Sequence, residues 1–187
     1  MKLSYALGMR ILKYLTLALA LTLTGVLSAS TIELIPDRDL STIEAEMSAS
    51  PPHTFTGVVR DYSLDLGVDP ESGRLSVANF RFNFADFDTD NSKRDRKMLK
   101  WLDHISWPDA QFTLIRVDET GDGLVAIGEF SMHGLTKTVE IPFSMTRKSG
   151  RFTLDATTTL DHRDWELPKV RLLIFTVNPV LKVRIHL

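Results

Sequence analysis

Apolar and polar side chains alternate, residue by residue, along most of the chain after residue 40. In one clear case Phe80, Phe82 and Phe84 are separated by Arg81 and Asn83. Because successive side chains of a β-strand point to opposite faces of the sheet, a period of two predicts strands with one buried and one wet face. The same pattern recurs in residues 42–47, 64–69, 138–145, 152–156 and 181–187.

Short segments rich in Gly, Pro, Asp and Ser separate these runs. Asp69–Gly73, Thr120–Gly123 and Lys148–Arg151 each supply the residues that tight turns need. Eight or nine strands joined by such hairpins predict an antiparallel sheet. Closing the sheet into a barrel removes its aggregation-prone edges, whereas a two-sheet sandwich is the structural alternative. The predicted fold class is therefore all-β, as an antiparallel barrel of about eight strands.

One stretch departs from the two-residue period. Between residues 93 and 105 the apolar residues Met98, Leu102 and Ile105 fall on one face of a helix. Residues 90–92 offer side-chain oxygens that can cap its first turn. We expect one short helix near residues 93–105, lying across one end of the sheet.

The first 30 residues differ in kind from the rest. They combine three basic residues, an apolar run from Leu15 to Leu27 and the small residues Ser28–Ser30, with no acidic residue. This order is typical of a secretory signal peptide, and we expect cleavage near Ser28 or Ser30. An uncleaved N-terminal anchor is the alternative, although the apolar run is short for a membrane span. The prediction is a signal peptide at 1–30 and one periplasmic or secreted domain at 31–187.

Charge and cysteine content narrow the classes of partner. Three of the 22 lysines and arginines lie in the leader and none of the 24 acidic residues does, so the remaining domain carries a net charge of about −5. Nucleic acid and anionic membrane surfaces both favour basic proteins, so neither is expected as a partner. The absence of cysteine from the sequence excludes disulfides, thiolate metal sites and a thiol nucleophile.

Motifs that carry catalytic chemistry are scarce. The five histidines show no metal-ligand spacing, and no nucleophile elbow or phosphate-binding loop is present in the sequence. A small exported enzyme could use Asp161, His162 and Asp164, or Arg94 and Asp95. The first group is more simply interpreted as a solvated turn, and charged residues at a helix start usually face solvent. We therefore expect no enzymatic activity, no metal and no cofactor.

Several segments resemble the YceI-like polyisoprenoid-binding family. Residues 128–137 are similar to its G-x-L-T-x-x-G-x-T-K hairpin, from which they differ at Phe130 and Ser131. The similarity continues into the alternating Val139, Ile141 and Phe143. It includes three further segments in order along the chain: Phe87–Thr89 followed by Arg94-Asp95 and Met98, Trp107-Pro108 followed by Phe112, and Asp161–Trp165.

This resemblance implies an extended lipocalin-like antiparallel barrel that encloses an apolar channel for an isoprenoid chain, such as a quinone tail or a polyprenyl lipid. The expected partner is a long lipid, with no stable membrane anchor after cleavage; a homodimer is possible in principle. The alternative is an interaction module whose barrel is filled by its own side chains. The predicted channel-lining residues are Phe80, Phe82, Phe84, Phe112, Phe130, Met132, Ile141 and Phe143.

Overall fold

The computed structural model describes residues 31–50, 52–172 and 175–187; the predicted leader, 1–30, lies outside them. Within these residues the chain forms thirteen strands and one α-helix. The strands are β1 Ile32–Leu34, β2 Thr42–Ser50, β3 His53–Val59, β4 Ser63–Val68, β5 Leu75–Asn83, β6 Phe87–Asp88, β7 Asp109–Thr120, β8 Gly123–Met132, β9 Leu135–Lys148, β10 Arg151–Asp161, β11 Arg171–Leu172, β12 Phe175–Val177 and β13 Val180–His186. The helix, α1, is Ser92–Trp101.

The strands form one sheet, and every pairing in it is antiparallel. Its main order is β1-β4-β5-β7-β8-β9-β10-β13-β2-β12-β11. The sheet curls because β2 also pairs with β3, and β3 pairs with β6. β6 follows β5 in the chain after a 3₁₀ turn at Phe84–Asp86. The pairing of β3 with β6 therefore brings the β2–β3 part of the sheet close to the end of β5.

The predicted all-β antiparallel barrel is confirmed, and the sandwich is not formed. The strand count is higher than the predicted eight because several strands are only two or three residues long. Strands this short contain too few residues for an alternating pattern to be recognised. The predicted run through Phe84 also ends as a strand at Asn83, whose side chain caps the 3₁₀ turn by accepting from the Ala85 N–H at 2.9 Å.

The hairpin between β4 and β5 shows how the turn residues act. The Asp69 carboxylate accepts hydrogen bonds from the Ser72 N–H and hydroxyl, both at 2.7 Å. Gly73 follows with φ 67°, a left-handed conformation that glycine adopts without steric cost. The turn between β9 and β10 places both Ser149 and Gly150 at positive φ, as a tight two-residue hairpin requires.

Helix α1 begins as predicted but ends early. The Asn91 side chain accepts from the Lys93 and Arg94 N–H groups at 3.1 Å, which satisfies two free donors of the first turn. The chain then leaves the helix, and Asp103 adopts a left-handed conformation with φ 47°. The prediction that the helix runs to residue 105 with Ile105 on its apolar face is wrong, because Ile105 lies beyond the break and is 87 % exposed.

The buried side chains form three clusters inside the barrel. One lies beneath α1 and contains Trp165, which is 1 % exposed. A second, around Ala126 and Phe143, lies further along the same strands, and a third surrounds Ile43 and Val59. In the ranges that the structure describes, no helix combines the length and the apolar character needed to cross a membrane.

Candidate functional site

A cavity of about 250 Å³ runs inside the barrel between the three clusters. Its exposed wall is apolar. Leu154 of β10 and His162, just beyond the end of that strand, both line it. The two residues are eight positions apart along extended chain, which corresponds to about 26 Å. The cavity is therefore elongated, and its shape suits a chain rather than a compact molecule.

The structure brings all eight predicted channel residues to this one cavity. Three of them form a row of contacting rings, with centroids 5.6 Å apart for Phe80 and Phe82 and 5.4 Å for Phe82 and Phe84. They do not interlock into a solid core, because open volume remains between the opposite walls. Their contact with lipid stays a prediction.

A glycine makes room for one of these rings. On β8, a Cβ added to Gly128 would collide with the ring of Phe112 and come within 2.6 Å of the Thr113 carbonyl oxygen. Gly128 is the first residue of the hairpin motif singled out from the sequence. Glycine is needed here because the Phe112 side chain crosses the backbone of the neighbouring strand.

Sequence reasoning missed the residues of β10 and those around α1. The two-residue period on β10 continues from Leu154 through Ala156, Thr158 and Leu160 to His162, and all five line the cavity. Following that period beyond the end of the strand would have identified His162. The predicted set was chosen mainly from aromatic residues, although the inward face of β10 shows the same two-residue alternation. At the α1 end the wall is completed by Met98, Trp101, Leu102 and Leu167.

His162 is a buried ionisable residue in a wall that is otherwise mostly apolar. The prediction of a solvated turn is wrong here, since His162 is only 4 % exposed within the 3₁₀ turn His162–Trp165. Its ring Nδ1 lies 3.2 Å from the Leu167 carbonyl oxygen, and its Nε2 has no hydrogen-bond partner among the described residues. Burial lowers the pKa of His162 below its ordinary value of 6.5, although the Leu167 carbonyl and Asp161 act in the opposite direction.

This burial gives a pH-dependent stability. Because the folded state disfavours protonated His162, the unfolded state binds more protons below about pH 6.5. We expect the free energy of unfolding to be insensitive to this residue above that pH and to fall as the pH decreases below it. Asp161 stays ionised there, since its hydrogen bonds with Arg163 lower its pKa to about 2.

Urea denaturation at a series of pH values measures this dependence. In a His162→Gln variant the loss of stability below pH 6.5 should become smaller, because glutamine does not titrate. An unchanged slope in that variant would contradict the assignment to His162.

The acidic neighbours of His162 do not form a catalytic pair with it. The Asp161 carboxylate binds the Arg163 guanidinium, with distances of 2.9 and 2.5 Å, and Asp164 is exposed. His162 presents its Nδ1 to a backbone carbonyl rather than to a carboxylate. In residues 31–50, 52–172 and 175–187, no group of three or more His, Asp or Glu side chains could hold a metal ion.

Arg94 and Asp95 have a structural role. Thr89 is 3 % exposed; its hydroxyl donates to Asp95 at 2.5 Å and accepts from the Arg94 Nε–H at 2.7 Å. The Arg94 guanidinium also lies over the Phe55 ring, 4.2 Å from its centroid. These contacts fix the start of α1 to β3 and to the segment after β6, so the two residues hold the helix over the cavity end.

Replacing Asp95 by alanine should therefore destabilise the fold. The buried Thr89 hydroxyl and N–H lose their acceptor, and an unsatisfied buried polar group costs about 1–3 kcal/mol. Urea denaturation of Asp95→Ala tests this against Lys97→Ala, an exposed residue of the same helix that should change stability by about 0.5 kcal/mol or less. Equal stability of the two variants would contradict the structural role.

Comparison with known proteins identifies the family to which this chain belongs. The YceI-like domain family matches residues 36–187, which is most of the chain and the whole of the barrel from β2 onwards. The chain belongs to the YceI-like family. The recognition made from the hairpin motif and its flanking segments is confirmed.

Individual members of the family are distant in sequence. Protein YceI of Escherichia coli (strain UMN026) is 26 % identical over 87 residues, and the UPF0312 protein of Photorhabdus laumondii is 28 % identical over 86 residues. These alignments cover 46 % and 44 % of both chains, so this chain spans about half the length of the curated relatives it matches.

Solved structures share the YceI-like fold over a larger part of the chain. BcnA of Burkholderia cenocepacia superposes with a TM-score of 0.71 at 17 % identity, covering 80 % of this chain and 96 % of BcnA. The Campylobacter jejuni YceI protein gives a TM-score of 0.60 at 17 % identity, over 70 % and 81 % of the two chains. A polyisoprenoid binding domain from Saccharophagus degradans gives 0.59 at 11 % identity, over 78 % and 91 %.

Proposed function

We propose that this protein binds the hydrocarbon chain of an isoprenoid lipid inside its barrel, and carries or buffers that lipid in an aqueous compartment. The observation that carries the proposal is the elongated apolar cavity of about 250 Å³. Burial of hydrocarbon contributes about 0.8 kcal/mol per CH₂ group, so a long chain can bind tightly without polar contacts. The likeness to a polyisoprenoid binding domain of Saccharophagus degradans supports the same ligand class.

Export is part of this proposal. A free lipid tail cannot cross water unshielded, so a carrier is needed where two membranes face one aqueous space. The leader at residues 1–30 has the order of charges and apolar residues that a secretory signal requires. Intact-mass measurement of the purified protein should show an N-terminus near Ser28 or Ser30. A full-length chain recovered only with membranes would favour the uncleaved anchor.

Lipid binding is tested by extracting what the protein carries. The full chain, expressed with its leader and purified from the exported fraction, is extracted with organic solvent and the extract is analysed by mass spectrometry. We expect an isoprenoid lipid in an amount comparable to the protein. Absence of bound lipid, combined with no uptake of added geranylgeraniol or ubiquinone, would refute the proposal and favour the interaction module.

A further inference from the structure

Among the residues that the structure describes, the cavity wall contains one buried polar atom without a hydrogen-bond partner. Besides its apolar residues, the wall includes Glu44, Thr158 and His162. Glu44 accepts from Arg184 at 3.0 Å, and the Thr158 hydroxyl donates to the Glu140 carbonyl at 3.1 Å. Of these three side chains, His162 alone has a buried atom, Nε2, without a hydrogen-bond partner in the described part of the chain.

The hydrogen bond of Nδ1, on the other side of the ring, determines whether Nε2 is a hydrogen-bond donor or acceptor. The Leu167 carbonyl oxygen can only accept, so Nδ1, at 3.2 Å from it, carries the hydrogen. Burial lowers the pKa of His162 and keeps the ring neutral at neutral pH. A neutral imidazole with its hydrogen on Nδ1 has an unprotonated Nε2, which is a hydrogen-bond acceptor.

Neighbouring donors are already occupied. The Trp101 ring meets the His162 ring edge-on, with centroids 5.0 Å apart and an interplanar angle of 84°, but its Nε1–H donates to the Pro168 carbonyl at 2.9 Å. The Trp165 Nε1–H donates to the Phe130 carbonyl at 3.2 Å. Neither the Trp101 nor the Trp165 indole therefore donates a hydrogen bond to Nε2.

Water is poorly suited to donate the missing hydrogen bond to His162 Nε2. A buried water needs two to four polar groups around it, and the exposed wall of this cavity is apolar. A hydroxyl attached to an apolar chain has no such requirement, because its chain fills the cavity while its single hydrogen meets one acceptor. Since Nε2 is covered in the unliganded protein, the side chains around it must shift slightly when such a group arrives.

We propose that His162 Nε2 accepts a hydrogen bond from the hydroxyl head group of the bound lipid, so that the protein prefers isoprenoid alcohols or hydroquinones over quinones, ethers and hydrocarbons of equal length. This inference rests on the proposed lipid-binding function and adds the chemistry of the head group to it. It also sets the direction of binding, with the head beneath α1 and the tail towards Leu154.

The test compares ligands that differ only in the hydroxyl. Geranylgeraniol and its methyl ether are titrated separately, with binding followed by calorimetry. A neutral hydrogen bond corresponds to roughly a tenfold difference in affinity, so we expect the alcohol to bind about tenfold more tightly. A prenylated hydroquinone, compared with its quinone under anaerobic conditions, should show the same preference, because only the hydroquinone has a hydroxyl hydrogen to donate to Nε2.

Two variants assign the preference to one residue. His162→Leu removes the acceptor and should bind alcohol and ether equally well, or favour the ether, because the buried hydroxyl is then unsatisfied. His162→Gln keeps an acceptor on a side chain of similar reach and should retain part of the preference. If His162→Leu fails to fold, His162→Phe takes its place, because it also removes the acceptor while keeping a planar ring, and the same loss of preference is expected.

The outcomes separate the two proposals. Equal affinity of the wild-type protein for alcohol and ether overturns the head-group inference and leaves lipid binding intact. A preference that persists in His162→Leu overturns the assignment to His162. Binding of neither ligand overturns lipid binding itself, and the head-group inference with it.

Discussion

Replacing Ala156 by phenylalanine is expected to lower the affinity for a long isoprenoid chain by about a hundredfold. Ala156 is buried on β10 and lines the cavity, opposite Phe143 of β9 and Ile185 of β13 in the two neighbouring strands. A cavity of about 150 Å³ is enough to hold a benzene molecule, so an added ring takes up much of the 250 Å³ present here. Loss of about four buried CH₂ contacts corresponds to roughly this factor.

The matched control is the next residue along the strand. Thr157 is exposed on the outer face of β10, so Thr157→Phe adds the same ring without entering the cavity and should leave the affinity unchanged. Circular dichroism and urea denaturation establish that both variants are folded, since overpacking can cost about 1–3 kcal/mol. If folded Ala156→Phe binds geranylgeraniol as tightly as the wild type, the lipid does not occupy this cavity.

The second large effect concerns stability at the α1 end of the barrel. Trp165 is 1 % exposed, packs edge-on against Phe130 with ring centroids 5.4 Å apart, and donates its Nε1–H to the Phe130 carbonyl. Replacing it by alanine removes that hydrogen bond and leaves a hole in the cluster that contains Leu102, Met132 and Leu167. We expect the free energy of unfolding to fall by about 3–5 kcal/mol.

Urea denaturation at neutral pH measures the loss, with Trp107→Ala as the control. Trp107 is 43 % exposed and lies over Gly134, so the same substitution there should cost well under half as much. A comparable loss in both variants would contradict the burial of Trp165. A loss of 3 kcal/mol is a large share of the stability of a typical single domain, so Trp165→Ala should also lower the yield of folded protein.

Parts of the site followed from the sequence because they depend on local backbone geometry. Phe80 and Phe82 share a face of β5, and a two-residue period places their side chains together in any strand. Phe84 kept its inward position although the strand ends before it, because the Asn83 cap carries the chain through a single 3₁₀ turn. The family was recognisable from the 128–137 hairpin, where Gly128 reflects the close approach of Phe112.

Other parts depended on contacts between residues distant in the chain. The apolar period across Met98, Leu102 and Ile105 fitted a longer helix, but the chain turns at Asp103 and leaves Ile105 in solvent. His162 stands among charged neighbours, and its burial comes from Trp101 and Leu167. The adjacent charges of Arg94 and Asp95 fitted a polar site, but in the structure both side chains bind the hydroxyl of Thr89, which is not part of the cavity wall and lies close to the start of α1.

The sequence by itself determined that the chain forms antiparallel strands, which side chains face inward, and to which family it belongs, because alternation and turn chemistry act over a few neighbouring residues. Only the tertiary structure decided that the inward face encloses an elongated cavity instead of a filled core. The enclosed volume depends on how many strands the curled sheet contains, how they are staggered and what covers its end. Those quantities are set by pairings such as β3 with β6 and β13 with β2, which no local pattern records.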